Sequence, residues 1–344
     1  MKVDLNYILE KLEDLVNIPS PSGYTEAAIA YVKKEFEKLG VNVFTTNKGA
    51  IYGVIDGEDN DHSVLLTSHV DTLGAMVLDI KSNGRLRLTG VGGFAWGSIE
   101  GENALIHTDS GKTYTGTLLP EKASVHIFEE ARNGERSEST MEIRLDQDVN
   151  TDKETRGLGI EVGDFVSFDP RFKITENGYI KSRHIDDKGC VAIQLGVAKS
   201  IIENKEKPKY KTYFYIADYE EIGHGLYHIP DNCIEVIAVD IGTVGGDNTS
   251  SEKAVTIFAK DSSTPYDYDL KKTMIKLAKE NNIPYKVDIA RRYGSDASAA
   301  LRQGKDVRTA CIGPGVDATH HYERTHKDAI LASADLVRAY LLDK

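Results

Sequence analysis

A chain of 344 residues, 40% of them hydrophobic, can build one large packed domain or a large domain with a smaller one beside it. Lysine and arginine number 42 against 54 aspartates and glutamates, a formal charge of −12 that argues against non-specific attraction to nucleic acid or an anionic membrane. Cys190, Cys233 and Cys311 are too few and too scattered for a disulfide framework, and no segment has the unbroken apolar run of a membrane span or export signal, so a soluble, reduced, cytoplasmic protein is expected.

In chain order, LNYILEKLEDLV (5–16) and TEAAIAYVKKEFEKLG (25–40) place apolar residues at helical spacing. They alternate with strand-like runs, IYGVI (51–55) and SVLLTSHV (63–70), which is an α/β texture. From about Leu73 to Arg183 the texture changes to short alternating segments and glycine-rich turns, among them RLRLTGVGG, ASVHIF, DFVSFDPRF and GYIKSR. This predicts a small all-β module inserted into the α/β domain, with EEARNGERSESTME as an exposed loop. Helix KGCVAIQLGVAKSIIE, strands KTYFYIA and CIEVIAVD, helix DYDLKKTMIKLAKENN, strand VRTACIG and a closing helix KDAILASADLVRAYLLDK then restore the α/β pattern. The expected division is a catalytic domain of residues 1–72 and 184–344 and an insert of residues 73–183.

The unusual polar residues fall at particular places on this scaffold. His69 and Asp71 lie in LLTSHVD, Asp186 and Asp187 in RHIDDKGC, Glu220 and Glu221 in FYIADYEEIGHG, and Asp240 closes CIEVIAVD. Three of these four sites end an apolar strand, where open α/β sheets gather ligand and catalytic groups. One histidine and several carboxylates at one sheet edge repel each other unless a cation neutralises them, so a metal is the economical explanation. Oxygen and imidazole donors without thiolate suit zinc, cobalt or manganese, and the number of acids asks for two ions.

Adjacent Glu220 and Glu221 then divide two roles. Consecutive side chains point in different directions, so one acid can bind metal while the other takes a proton from metal-bound water. Asp71, two residues beyond His69, can fix the imidazole tautomer. A further neutral donor is wanted near the C-terminus, and ATHHYERTHKDAI (318–330) offers His320, His321 and His326. Asp187 also reads as a first-turn acid complementing the dipole of the helix it precedes. GVGG before Trp96 lacks the strand, glycine spacing and helix of a phosphate cradle.

Taken in order, LVNIPSPSGYTE, SHVDTLGAMV, GIEVGDFVSFDPRF, HIDDKGC, YEEIGHG, VIAVDIG, YGSDASA and ERTH resemble the tetrahedral aminopeptidases. These are dinuclear metallopeptidases that include glutamyl and deblocking aminopeptidases and cellulase-like relatives, and the resemblance spans nearly the whole chain. It implies a mixed open sheet flanked by helices, of the zinc-peptidase, phosphorylase/hydrolase-like kind, with an inserted β-barrel for dimerisation and oligomerisation. It also implies that His69, Asp186, Glu221, Asp240 and His326 hold two divalent ions, zinc first with cobalt or manganese as alternatives, and Asp186 bridging. Glu220 would be the general base acting on a bridging water, and Asp71 would stand behind His69.

Two departures accompany the resemblance. The family's last histidine sits in a His-Ser-Pro context, whereas THK follows Arg324 here, so His321 stays open beside His326. GSDA at 294–297 stands for Gly-Thr-Asp-Ala, with Asp296 as a structural or pocket residue. The implied reaction removes the N-terminal residue of short peptides, and the implied assembly is a homo-oligomer, commonly a dodecamer, without nucleic acid or membrane partners. Dizinc carboxypeptidases and N-acyl amino acid deacylases share a similar ligand series, but their bridging Asp follows the HxD motif within a few tens of residues. Here the β insert separates Asp71 from Asp186. Two other readings stay open: a dinuclear deacylase or amidase on N-acyl or amide small molecules, and a catalytically silent peptide-binding assembly protein. Arg291 and Arg292 read either as receptors for an acidic side chain or as solvated surface residues.

Overall fold

Strands Asp59–His69, Tyr210–Ala217 and Cys233–Val239 run parallel as neighbours in the large mixed sheet of the computed structural model, which describes residues 3–343. Their register sets Ala217 opposite His69 and Ala238 opposite Thr67, so the three strands end level at one edge. Their C-terminal parts, Ser63–His69, Phe214–Ala217 and Glu235–Val239, are buried on both faces. Side-chain alternation divides the coverage: Leu66, Phe214 and Ile237 face one core, and Leu65, Tyr215, Val236 and Ala238 face the other.

The first core is closed by helices Leu5–Val16, Glu26–Lys38, Ile185–Glu203, Tyr268–Glu280 and Lys327–Leu342. Ile185–Glu203 is buried almost all round, which is why its sequence is apolar without a polar stripe. Gly196 admits helix Leu5–Val16 against it, since a Cβ there would stand 2.4 Å from Ile8 Cγ1.

Strands Asn42–Thr45 and Ile51–Ile55 extend the sheet on one side through antiparallel pairing with Tyr210–Ala217. On the other side Arg308–Asp317 lies parallel to Cys233–Val239, and Glu323–His326, Tyr179–Ser182 and Lys173–Ile174 continue outward.

The insert closes into a six-stranded antiparallel barrel of Gly74–Ile80, Leu86–Val91, Asn103–His107, Thr113–Pro120, Met141–Leu145 and Phe165–Phe168. Ala75, Val77, Leu88, Ile106, Leu118, Ile143 and Val166 fill it. Two details differ from the sequence reading. The texture of GYIKSR predicts a strand of the insert, but Tyr179–Ser182 pairs in the large sheet with Glu323–His326; alternation marks a strand without saying which sheet receives it. ASVHIF forms turns instead of a strand, with Val125 and Ile127 exposed.

Barrel and α/β domain are pinned by a buried ion pair. Arg183 donates from Nε and Nη2 to Glu102 Oε2 at 3.0 and 2.7 Å, and from Nη2 to Ser98 O at 2.6 Å. Cys190, Cys233 and Cys311 are buried free thiols. Among the described residues no helix is long and apolar enough to cross a membrane.

Candidate active site

His69 is the last residue of its strand, Asp240 follows Val239 directly, and Glu220 and Glu221 open the short 3-10 turn Glu220–Ile222 beyond Ala217. Asp186 arrives from the start of Ile185–Glu203, where Asp186 and Asp187 have non-helical backbone angles. His69 Nε2 lies 3.4 Å from Asp186 Oδ1 and 3.6 Å from Glu220 Oε2. The other Asp186 oxygen, Oδ2, lies 3.6 Å from His320 Nε2, which is 3.5 Å from Glu221 Oε2. Asp186 therefore turns one oxygen toward each histidine. Donor atoms of Asp187 and Asp240 fall within 4.8 Å of each other and of a His69 nitrogen.

The donor set fits divalent ions. Separations of 3.4–3.6 Å are too long for good hydrogen bonds, yet two ligands bound tetrahedrally at about 2.0–2.2 Å stand roughly 3.3–3.6 Å apart. Burial, and then Asp186, push Glu221 up to about 8 and Asp240 up to about 7. Burial likewise raises Glu220 and Asp187 well above the ordinary carboxylate range. Burial opposes charge on His320, but Asp186 and Glu221 outweigh it and raise the imidazole to about 10. Such a set ionises together only beside a cation. Among the described residues Asp187 Oδ1 is buried without a hydrogen-bond partner, while its Oδ2 accepts the His69 backbone N–H at 3.2 Å.

Asp71 organises the other side. Its backbone carbonyl accepts from His69 Nδ1 at 2.9 Å, which turns the Nε2 lone pair toward Asp186. Its carboxylate, 3.4 Å from the same Nδ1, accepts the backbone N–H groups of Glu220 and Glu221 at 3.0 and 3.1 Å and the Ser22 hydroxyl at 2.5 Å. The imidazole is thus bonded by the Asp71 backbone carbonyl, while the carboxylate expected to steady it holds the turn that carries both glutamates.

His326 lies away from this centre, contrary to its expected role as a ligand. Its Nδ1 accepts the backbone N–H of Asp328 at 3.1 Å, capping helix Lys327–Leu342, and its Nε2 donates to Asn177 O at 2.8 Å. His321 is exposed and accepts its neighbour's backbone N–H, that of Tyr322, at 2.7 Å. His320 is the histidine that reaches Asp186 and Glu221, with Nδ1 donating to Gly93 O of the barrel segment at 2.6 Å.

Sequence reasoning named His320 only as one of three and missed its supports. Glu323 accepts the backbone N–H groups of both Asp186 and His320 at 3.1 Å, and Thr319 donates to Asp186 Oδ2 at 2.8 Å. The available signal was the THHYE cluster itself, with a polar residue on each side of His320. Asp296 accepts from Thr67 Oγ1 and from the Leu226 backbone at 2.9 Å each, tying a strand to the loop beyond the glutamates.

A model of the M42 glutamyl aminopeptidase family matches residues 49–336. The chain belongs to the M42 family. It is 46% identical over 334 residues to the putative aminopeptidase YhfE of Bacillus subtilis (strain 168), covering 97% of this chain and 96% of the relative. It is 23% identical over 331 residues to the lysyl aminopeptidase of Pyrococcus furiosus, covering 90% of each. The fold matches that of the Pyrococcus horikoshii TET1 peptidase with a TM-score of 0.85 at 21% identity, over 98% of this chain and 100% of the other. This M42 protein is accordingly a hydrolase, a metallo-aminopeptidase that works with divalent metal, and the clustered acids and histidines at the sheet edge are its candidate centre.

Proposed function

We propose that this M42 enzyme releases the N-terminal residue of short peptides, with Glu220 taking and returning the proton. The observation that carries the assignment is the position of Glu220. Its Oε2 stands 3.6 Å from His69 Nε2 at the partly open mouth of the site, its backbone is fixed by Asp71, and its carboxylate accepts no hydrogen bond among the described residues. Burial raises its proton affinity, which suits a base that must later act as an acid.

His69, Asp186, Glu221, Asp240 and His320 would hold two divalent ions, with Asp186 shared; zinc fits the donors first, and cobalt or manganese are alternatives. When bound, the ions supply Lewis acidity toward the scissile carbonyl and acidify water. Glu220 takes the proton of the attacking water at Oε2 and delivers it to the departing amine. Asp71 keeps His69 in one tautomer and holds the glutamate turn at a fixed distance from it.

Arg291 and Arg292, with Thr243, Asn248, Ala290 and Tyr293, line a cavity of about 500 Å³. Arg291 lies 3.5 Å from Asp247, while Arg292 has no ion-pair partner among the described residues and is free to receive an acidic first side chain. The enzyme self-associates through the barrel insert, a reading supported by its fold likeness to a TET1 peptidase that can assemble into a tetrahedron or a large octahedral shell. Its three unpaired, buried cysteines suit the cytoplasm.

The test is turnover by chelated protein reloaded with zinc, cobalt or manganese, on matched peptides with free or acetylated N-termini. Metal-dependent release of the first residue from the free-amine set alone is expected. Cleavage of the acetylated set would move the enzyme to deacylase chemistry.

A further inference from the structure

A cation stands at the same sheet edge as the glutamates, on the side away from Asp240. Strand Ile51–Ile55 is antiparallel to Tyr210–Ala217 with Ile51 opposite Ile216, so the preceding loop, which carries Lys48, lies at the edge where Glu220 and Glu221 emerge. Lys48 Nζ is 2.8 Å from His224 Nδ1, and it sits over the rings of Tyr219 and Tyr227 at 4.0 and 4.2 Å from their centroids. His224 is stacked on Tyr219 with centroids 5.2 Å apart. An ammonium only donates, so His224 Nδ1 accepts and the imidazole carries its hydrogen on Nε2. Among the described residues Lys48 has no carboxylate within ion-pair distance; Asp218, Asp71 and Asp296 act on it only at longer range. A second donor, His224 Nε2–H, is left beside an unpaired positive charge.

We propose that Lys48 and His224 receive the C-terminal carboxylate of the substrate, which makes peptides of two or three residues the preferred class. The proposal rests on the aminopeptidase reading above. Sheet order places the Lys48 loop, the glutamates, His69 and Asp240 in sequence along one edge. A peptide laid across that edge, with its first residue toward Asp240 and the Arg292 cavity, directs its remaining residues toward Lys48. Two strand spacings, about 9.5 Å, separate the Lys48 strand from that of His69. The lysine side chain spans part of this, and an extended residue covers roughly 3.3–3.6 Å, so one or two residues beyond the scissile bond fill the rest. A cation at that end offsets the glutamates beside it and favours a free carboxylate there over a neutral amide.

The experiment compares kcat/KM for two- and three-residue peptides, and for longer ones, each as free acid and as C-terminal amide, using metal-loaded wild type, Lys48→Met, Lys48→Arg and His224→Gln. For the shortest substrates the wild type should prefer the free acid by roughly tenfold, chiefly through KM, the value of one charge-assisted hydrogen bond. The ratio should fall toward one in Lys48→Met, persist in Lys48→Arg, shrink in His224→Gln and fade as the peptide lengthens. Turnover with equal rates on acids and amides by the wild type, or a ratio that Lys48→Met leaves intact, would overturn the assignment alone. No turnover of either set would overturn it together with the aminopeptidase reading.

Discussion

Asp71 accepts the backbone N–H of Glu220 at 3.0 Å, so the residue behind the His69 imidazole also fixes the turn bearing the proposed base. Replacing it couples two effects that would otherwise be separate. Asp71→Asn keeps the size but replaces one of the two accepting oxygens by an amide donor, which then faces the N–H of Glu220 or of Glu221 and costs one of the two bonds. Metal affinity should fall about 10–100-fold, and kcat should fall with the protein fully loaded. Titration against a chelator and kinetics at saturating metal measure the two, and a loss of affinity alone would count against the role in the turn.

Glu220→Gln removes a proton acceptor without removing any of the five proposed ligands. It should bind metal as the wild type does and lose about 10²–10⁴-fold in kcat. Metal content by elemental analysis beside steady-state rates decides it, and a fully active variant would end the assignment of Glu220 as base.

The histidines of the THHYERTH segment should separate cleanly. His320→Ala is expected to lower metal stoichiometry, because it removes the imidazole facing Asp186 and Glu221. His326→Ala should keep both ions and instead lose about 0.5–2 kcal/mol of stability, the usual cost of a lost helix cap. Stoichiometry and denaturant unfolding of the two variants, side by side, would reverse the assignment if the effects exchanged.

Arg183 and Glu102 are both buried at the joint between barrel and α/β domain. Arg183→Met alone should destabilise the joint, since it leaves the buried Glu102 carboxylate with only the half-exposed Arg171, whose Nε lies 3.0 Å from Oε2. Changing Glu102→Leu as well should recover much of that loss, because the desolvation penalty disappears with the second charge. Unfolding monitored by circular dichroism tests the recovery.

Metal-free protein should lose stability as pH rises. Burial and neighbouring charge raise Glu221 to about 8 and Asp240 to about 7 in the folded chain, above their unfolded values. The folded state therefore holds more protons than the unfolded state between about pH 4 and 8, and stability falls across that window. His320, raised to about 10 against the opposing effect of burial, acts in the same direction: its contribution is complete below the unfolded value near 6.5 and is lost as pH climbs toward 10. Thermal unfolding of chelated protein from pH 5 to pH 8 should show a drop that added zinc largely removes. A pH-independent melting temperature would contradict the electrostatic account of the centre.

Much of this protein was legible along the chain. Residues 63–70, 210–217 and 233–239 are apolar runs that stop at polar side chains, and a strand's end is a local property, so His69, Glu220, Glu221 and Asp240 could be set at one sheet edge before any fold was known. The change of texture after Leu73 announced the barrel in the same way. Tertiary structure decided what depends on contacts distant in sequence. Tyr179–Ser182 joined the large sheet because Glu323–His326 offered it an edge, which alternation within GYIKSR cannot record. His320 and not His326 faces Asp186 and Glu221: Ala318 and His320 take left-handed backbone angles, φ 56° and 61°, in the loop beside them, whereas the strand carries His326 to a helix cap. Lys48 met His224, 176 positions away, only because antiparallel pairing brought their two loops to the same edge. Spacing along a chain encodes which face or end a residue occupies; which distant partner it finds there is set by pairing and packing.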